Sequence, residues 1–192
     1  MTLIIAVVSI VISNRRDVHS AWVKDKANPY TMQEKYETIG GWLILVAFSL
    51  FLSLLAPLMF ISELTYIFEP GVWSFFTDPA SEGYHSMFSY LIYFEVFANL
   101  TLFVFSIILV ILFFKKKSVF PQYLIVFIIV GLFALITDAI LANLIFSSYP
   151  ADWGLNIPID VHISSIGGVL LYAAVWIPYM VKSIRVKKTF VH

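Results

Sequence analysis

The stretch FSYLIYFEVFANLTLFVFSIILVILFFKKKSVFPQYLIVFIIVGLFALITDAILANLIF, residues 88 to 146, sets two long apolar runs on either side of three lysines. A helix needs about 20 apolar residues to cross the hydrocarbon core of a bilayer, and each run is long enough. Lipid offers no hydrogen bonds to a bare backbone, so each run must close its own as a helix. The short basic connection makes the two helices antiparallel neighbours.

Two further runs of the same kind flank this hairpin. The four predicted spans are residues 39–61, 88–114, 123–146 and 161–181. The fold class is therefore all-α, an integral membrane four-helix bundle occupying residues 35–192, preceded by an apolar stretch and a charged linker in residues 1–34. Composition agrees: 60% of residues are hydrophobic, 12% are charged, and the mean hydropathy is +0.91. Soluble domains carry about a quarter charged residues. With no cysteine, neither a disulfide framework nor a thiolate site is possible.

The opening MTLIIAVVSIVI is too short to span, and no basic region precedes it as a secretory signal would require. It reads as an interfacial or partly inserted helix, with a truncated fifth span or a tail packed on the bundle as alternatives. Residues 13–37 read as a mixed-charge linker, with a turn at Asn28 and Pro29.

Net charge is zero, yet the signs are sorted along the chain. All twelve Lys and Arg lie before the first span, between the second and third, or after the fourth. The other two loops carry only acids: Glu63, Glu69, Asp78 and Glu82 in one, Asp152 and Asp160 in the other. By the positive-inside rule both termini face the cytoplasm. The closing segment VWIPYMVKSIRVKKTF (175–190) fits an inner-face anchor. Trp176 and Tyr179 suit the headgroup level, Pro178 loosens the last helical turn, and Lys182, Arg185, Lys187 and Lys188 meet anionic lipid. The acidic loops carry Trp73, Phe75, Phe76, Tyr149 and Trp153; a short interfacial helix in the first loop, and packing of one loop on the other, are expected.

Two acids fall inside spans, where ionisable groups are costly enough to mark a site: Glu95 and Asp138. At 1.5 Å per residue they lie about 10 and 12 Å from the acidic end of their helices, so they are level. Asn99, Thr137, Asn143, His162, Ser164 and Ser165 fall in the same half, and no Lys or Arg does. Two carboxyls side by side in a low dielectric do not readily ionise together. The candidate polar cluster is Glu95, Asn99, Asp138, Asn143 and His162. It serves either as a titrating pocket or as polar contacts joining helices, worth about 0.6 kcal/mol each. Small residues on the third span (Gly131, Ala134, Ala142) and the Ser164/Gly168 pair on the fourth favour close helix approach. Gly40 and Gly41 imply a tight approach or turn at the start of the first span.

Catalytic signatures are missing: no paired-His zinc helix, no phosphate-cradling glycine loop, no serine elbow. Asp78, Glu82 and His85 read as solvated loop groups, so no metal and no cofactor is expected. Nothing in the chain points to nucleic acid.

The segments IGGWLIL (39–45), FEVFANL (94–100), FFKKKSVFP (113–121) and AVWIPYMVKSIRVKKTF (174–190) resemble a bacterial inner-membrane family, domain of unknown function 2569. The resemblance runs from about Lys35 to Phe190 and implies a four-span inner-membrane protein. It also implies an Arg where this chain has Gly168, so an intramembrane ion pair built on that Arg is not available here. The functional expectation is a non-enzymatic accessory component that works through helix packing with itself or a membrane partner. The alternative is a small transporter or channel component using Glu95 and Asp138 as titrating groups.

Overall fold

The computed structural model describes residues 39–155 and 159–191. The expectations for residues 1–34 and the linker lie outside the described residues. Four long helices form the body: α1 (Trp42–Ile67), α3 (Phe88–Phe114), α4 (Phe120–Phe146) and α5 (Ile159–Lys182). Two short ones, α2 (Pro70–Thr77) and α6 (Ile184–Thr189), sit beyond their ends, and no strand occurs among the described residues. All four long helices are apolar and long enough to cross a membrane. The fold is the expected all-α membrane bundle. Compared with the sequence reading, α1 runs on to Ile67 and α4 begins at Phe120, because polar or aromatic residues at the rim do not interrupt backbone hydrogen bonding.

α1 packs on α3, α3 on α4 and α4 on α5. The arc closes at one end, where Trp42 meets Trp176 edge-on at 5.9 Å and Tyr179 at 6.3 Å. Lys115 to Lys117 and Lys182 to Lys188 gather there, at the basic end, while Glu69, Asp78, Glu82 and Asp152 lie at the opposite, acidic end. The α3–α4 turn is tight. Lys116 adopts a left-handed φ of 50°, and the Lys117 and Lys116 amides donate to the carbonyls of Leu112 and Phe113, which satisfies the last turn of α3.

Side chains fill the bundle in two apolar clusters rather than one. The basic-end cluster joins Leu43, Val46 and Leu50 to Leu109, Phe113, Phe120, Leu124, Ile128, Trp176 and Met180. The acidic-end cluster joins Phe88, Leu91 and Ile92 to Ala142, Ile145 and Tyr149. Between them lies the level of Glu95 and Asp138.

Both ends are capped by the chain itself. At the acidic end α2 starts on Pro70, a residue suited to the first helical turn, and lays Trp73 and Phe76 on Phe88. Phe75 meets Trp153, Trp153 stacks on Tyr149, and the buried Tyr149 hydroxyl donates to the Gly83 carbonyl at 2.8 Å. The two acidic loops thus pack on each other. The Phe75 ring lies so close over Gly83 that a Cβ there would collide with it.

At the basic end the closing segment folds back on the bundle. α5 continues past Pro178 to Lys182, and the break comes at Ser183, whose extended backbone and hydroxyl cap α6 by accepting from the Val186 amide at 3.4 Å. Val186, Thr189 and Phe190 are buried, and Phe190 stacks on Phe120 at 4.7 Å. Lys182, Lys187 and Lys188 are exposed. Arg185 is partly buried instead, with its guanidinium against Gly40 in the space a Cβ would need. Gly41 at φ 60° turns the chain into α1.

Candidate functional site

The gap between the two apolar clusters is a cavity of about 410 Å³ bounded by α3, α4 and α5. Its cause is local: Ala98, Gly131 and Ala134 have too little side chain to fill the level between Ile92 and Leu109 on α3, or between Ile128 and Ala142 on α4. Gly131 serves no close helix approach. A Cβ there would meet only a Leu102 methyl, at an ordinary 3.9 Å. The small residues of α4 therefore divide in role: Ala142 packs in the acidic-end cluster, and Gly131 and Ala134 open space.

Glu95, Asn99 and Asp138 all line this cavity, and Tyr172 of α5 lines it as well. No lining residue among the described residues is basic. Asp138 has one carboxyl oxygen, Oδ1, shut off from solvent with no hydrogen-bond partner among the described residues. Donors nearby are directed elsewhere: the Asn99 amide donates to the Glu95 carbonyl at 2.9 Å and the Thr137 hydroxyl to the Phe133 carbonyl at 2.9 Å, each within its own helix. The Ser49 hydroxyl donates to the Val46 carbonyl, so in the 2.9 Å contact between Ser49 and Tyr172 the tyrosine is the donor. That bond ties α1 to α5 beside the cavity.

The remaining members of the predicted cluster sit apart from it. Asn143 and His162 line a separate, shallower groove between α4 and α5, and His162 Nε2 is buried there without a partner among the described residues. Asn143 lies five residues from Asp138, so it projects from a different face of α4. Tyr172 escaped the sequence reading because it stands in an unbroken apolar run. A tyrosine near mid-span, far from either interface where its hydroxyl would find water, was the available signal.

The loop groups are occupied with local structure. The Asp78 carboxylate accepts from the Ala80 amide at 2.9 Å and His85 Nδ1 accepts from the Met87 amide at 3.2 Å. Burial pushes the Tyr149 phenol above its ordinary value. No group of three or more His, Asp or Glu among the described residues is placed to hold a metal ion.

The family described as Protein of unknown function (DUF2569) matches residues 36–191, and the chain belongs to it. No curated protein and no solved structure matches.

Proposed function

We propose that this member of the family is a non-enzymatic component of the bacterial inner membrane, with both termini cytoplasmic, that acts by packing its fourth span against a second copy or a larger membrane partner. The observation that carries this reading is the outer face of α5. Val161, Ser164, Gly168, Leu171 and Val175 recur at helical spacing, and all are exposed. Gly167 and Gly168 have nothing within 4 Å of where a Cβ would stand, so no contact among the described residues requires them.

In a soluble helix two adjacent interior glycines cost about 1 kcal/mol each relative to alanine. Within a bilayer such a surface lets another helix backbone approach closely, which is the main route to association where lipid removes any hydrophobic drive. The Ser164 and Ser165 hydroxyls already donate to the Val161 carbonyl at 2.8 and 2.9 Å, so both are turned back onto their own helix. The orientation rests on the basic residues of the α3–α4 turn and of α6 sharing one end.

The test is crosslinking in native membranes with Gly168→Leu. A crosslinked species for the native chain that disappears with the substitution supports the reading. A native chain that yields no crosslinked species and runs as a monomer in mild detergent contradicts it.

A further inference from the structure

We propose that the cavity between α3, α4 and α5 is a binding site for a small organic monocation, an ammonium group borne on an apolar or aromatic body. This goes beyond the packing role, since it uses the inward residues of α5, Val169 and Tyr172, and not its exposed face.

Size comes first. At about 410 Å³ the cavity falls in the range of small-molecule sites, roughly 300–1,000 Å³. Its walls are mainly apolar, with Phe94, Phe127 and Tyr172 among them. Water is a poor filler for the apolar part of such a space, because each buried water needs about 2–4 polar partners. An occupant with an apolar body matches the walls.

Charge then selects among apolar occupants. Two carboxyls, Glu95 and Asp138, line the cavity, and no Lys, Arg or His among the described residues does. Asp138 Oδ1 has no donor among the described residues, and a buried carboxyl without one is disfavoured. An ammonium group supplies a charge opposite to that of the two acids, and the aromatic walls add attraction for a cation. An anion would face two acids. A neutral molecule or a lipid acyl chain would fill the apolar part and leave the Asp138 carboxyl unmatched. A hard divalent metal ion needs about six to eight oxygen ligands, more than two carboxyls and one amide provide. Glu95 and Asp138 stand at one level, about 10 and 12 Å from the acidic ends of their helices. Tyr172 lies further from that end, which places the ammonium toward the acidic side and its body toward Tyr172.

The probe is 2-phenylethylammonium, titrated calorimetrically into the full chain in nanodiscs of zwitterionic lipid, with empty nanodiscs as blank. Its neutral counterpart, 2-phenylethanol, has the same body without the charge. We expect saturable binding of the ammonium, at least tenfold weaker binding of the alcohol, and at least tenfold weaker ammonium binding with Asp138→Asn or Glu95→Gln. Ala134→Phe, which fills the cavity and leaves both carboxyls in place, should weaken the ammonium by the same factor. If the acid variants fail to fold, as judged by helicity, the ammonium-to-alcohol ratio on the native chain and the Ala134→Phe result still decide. No saturable ammonium binding above the blank overturns the proposal. So does equal affinity for alcohol and ammonium, which would mean an apolar pocket for neutral molecules or lipid chains, or undiminished binding by Ala134→Phe.

Discussion

Replacing Phe190 by alanine should undock α6 while leaving the spans assembled. The Phe190 side chain is 4% exposed, and its ring stacks on Phe120 at 4.7 Å and tilts against Phe113 at 5.7 Å. Burying a phenylalanine is worth about 1.5–3 kcal/mol, and each aromatic pair adds about 0.5–1.5 kcal/mol. Taken from the lower part of each range, the substitution removes about 3 kcal/mol of docking energy. Part of the docking survives, because Val186 remains buried and Arg185 still rests on Gly40. A loss of about 3 kcal/mol corresponds to roughly a hundredfold shift between docked and undocked tail, at 1.4 kcal/mol per factor of ten. Cleavage by trypsin after Lys187 and Lys188 reads that population directly when opening is fast relative to cutting. We expect about a hundredfold faster cleavage in detergent, with the helical signal of the four spans retained. An unchanged cleavage rate would refute the reasoning, since it would mean that the tail is already free in the native chain.

The acidic-end cap makes two further predictions. Gly83→Ala forces the Phe75 ring out of its place between Phe76 and Trp153, and should destabilise the loops by about 1–3 kcal/mol, seen as a lost near-ultraviolet aromatic signal. A retained signal and unchanged melting would contradict the close packing. Tyr149→Phe removes the bond to the Gly83 carbonyl and should cost about 1 kcal/mol. The same tyrosine gives the cap an alkaline limit. Burial raises the folded phenol above its ordinary value of about 10, so its stabilisation is complete below that pH and is lost as the pH climbs through the folded value. The aromatic signal should decline above about pH 10 in the native chain, and Tyr149→Phe should shrink that decline. An equal decline in both would assign it to other groups.

The four spans and the sorting of charge were legible because bilayer thickness and backbone hydrogen bonding act on single segments, and a run such as residues 88–114 carries both constraints in itself. The bounds of α3 matched at both ends because Phe88 follows a polar loop and Lys115 halts the apolar run. Glu95 and Asp138 were placed together by counting helical rise from those bounds, and they do line one cavity.

What escaped depends on contacts between distant segments. Gly131 and Ala134 read as a surface for close packing, but whether small residues let backbones meet or leave a void depends on what stands opposite, here Ala98 and Leu102. The tail read as a lipid anchor because its basic residues dominate the string IRVKKTF. Its apolar residues, Val186 and Phe190, fall one helical turn apart, and only the position of Phe113 and Phe120 at the turn of the hairpin shows where that face goes.

The central claim is that four spans carry the basic connections to the cytoplasm and the acidic loops to the outside. The chain has no cysteine, so single cysteines report position without background. Asp78→Cys, Asp152→Cys, Lys117→Cys and Lys187→Cys, treated in intact cells with a maleimide that cannot cross membranes, test it directly. Labelling at 78 and 152 from outside, with 117 and 187 reached only after permeabilisation, is the predicted result; the reverse pattern would invert the topology and contradict the account.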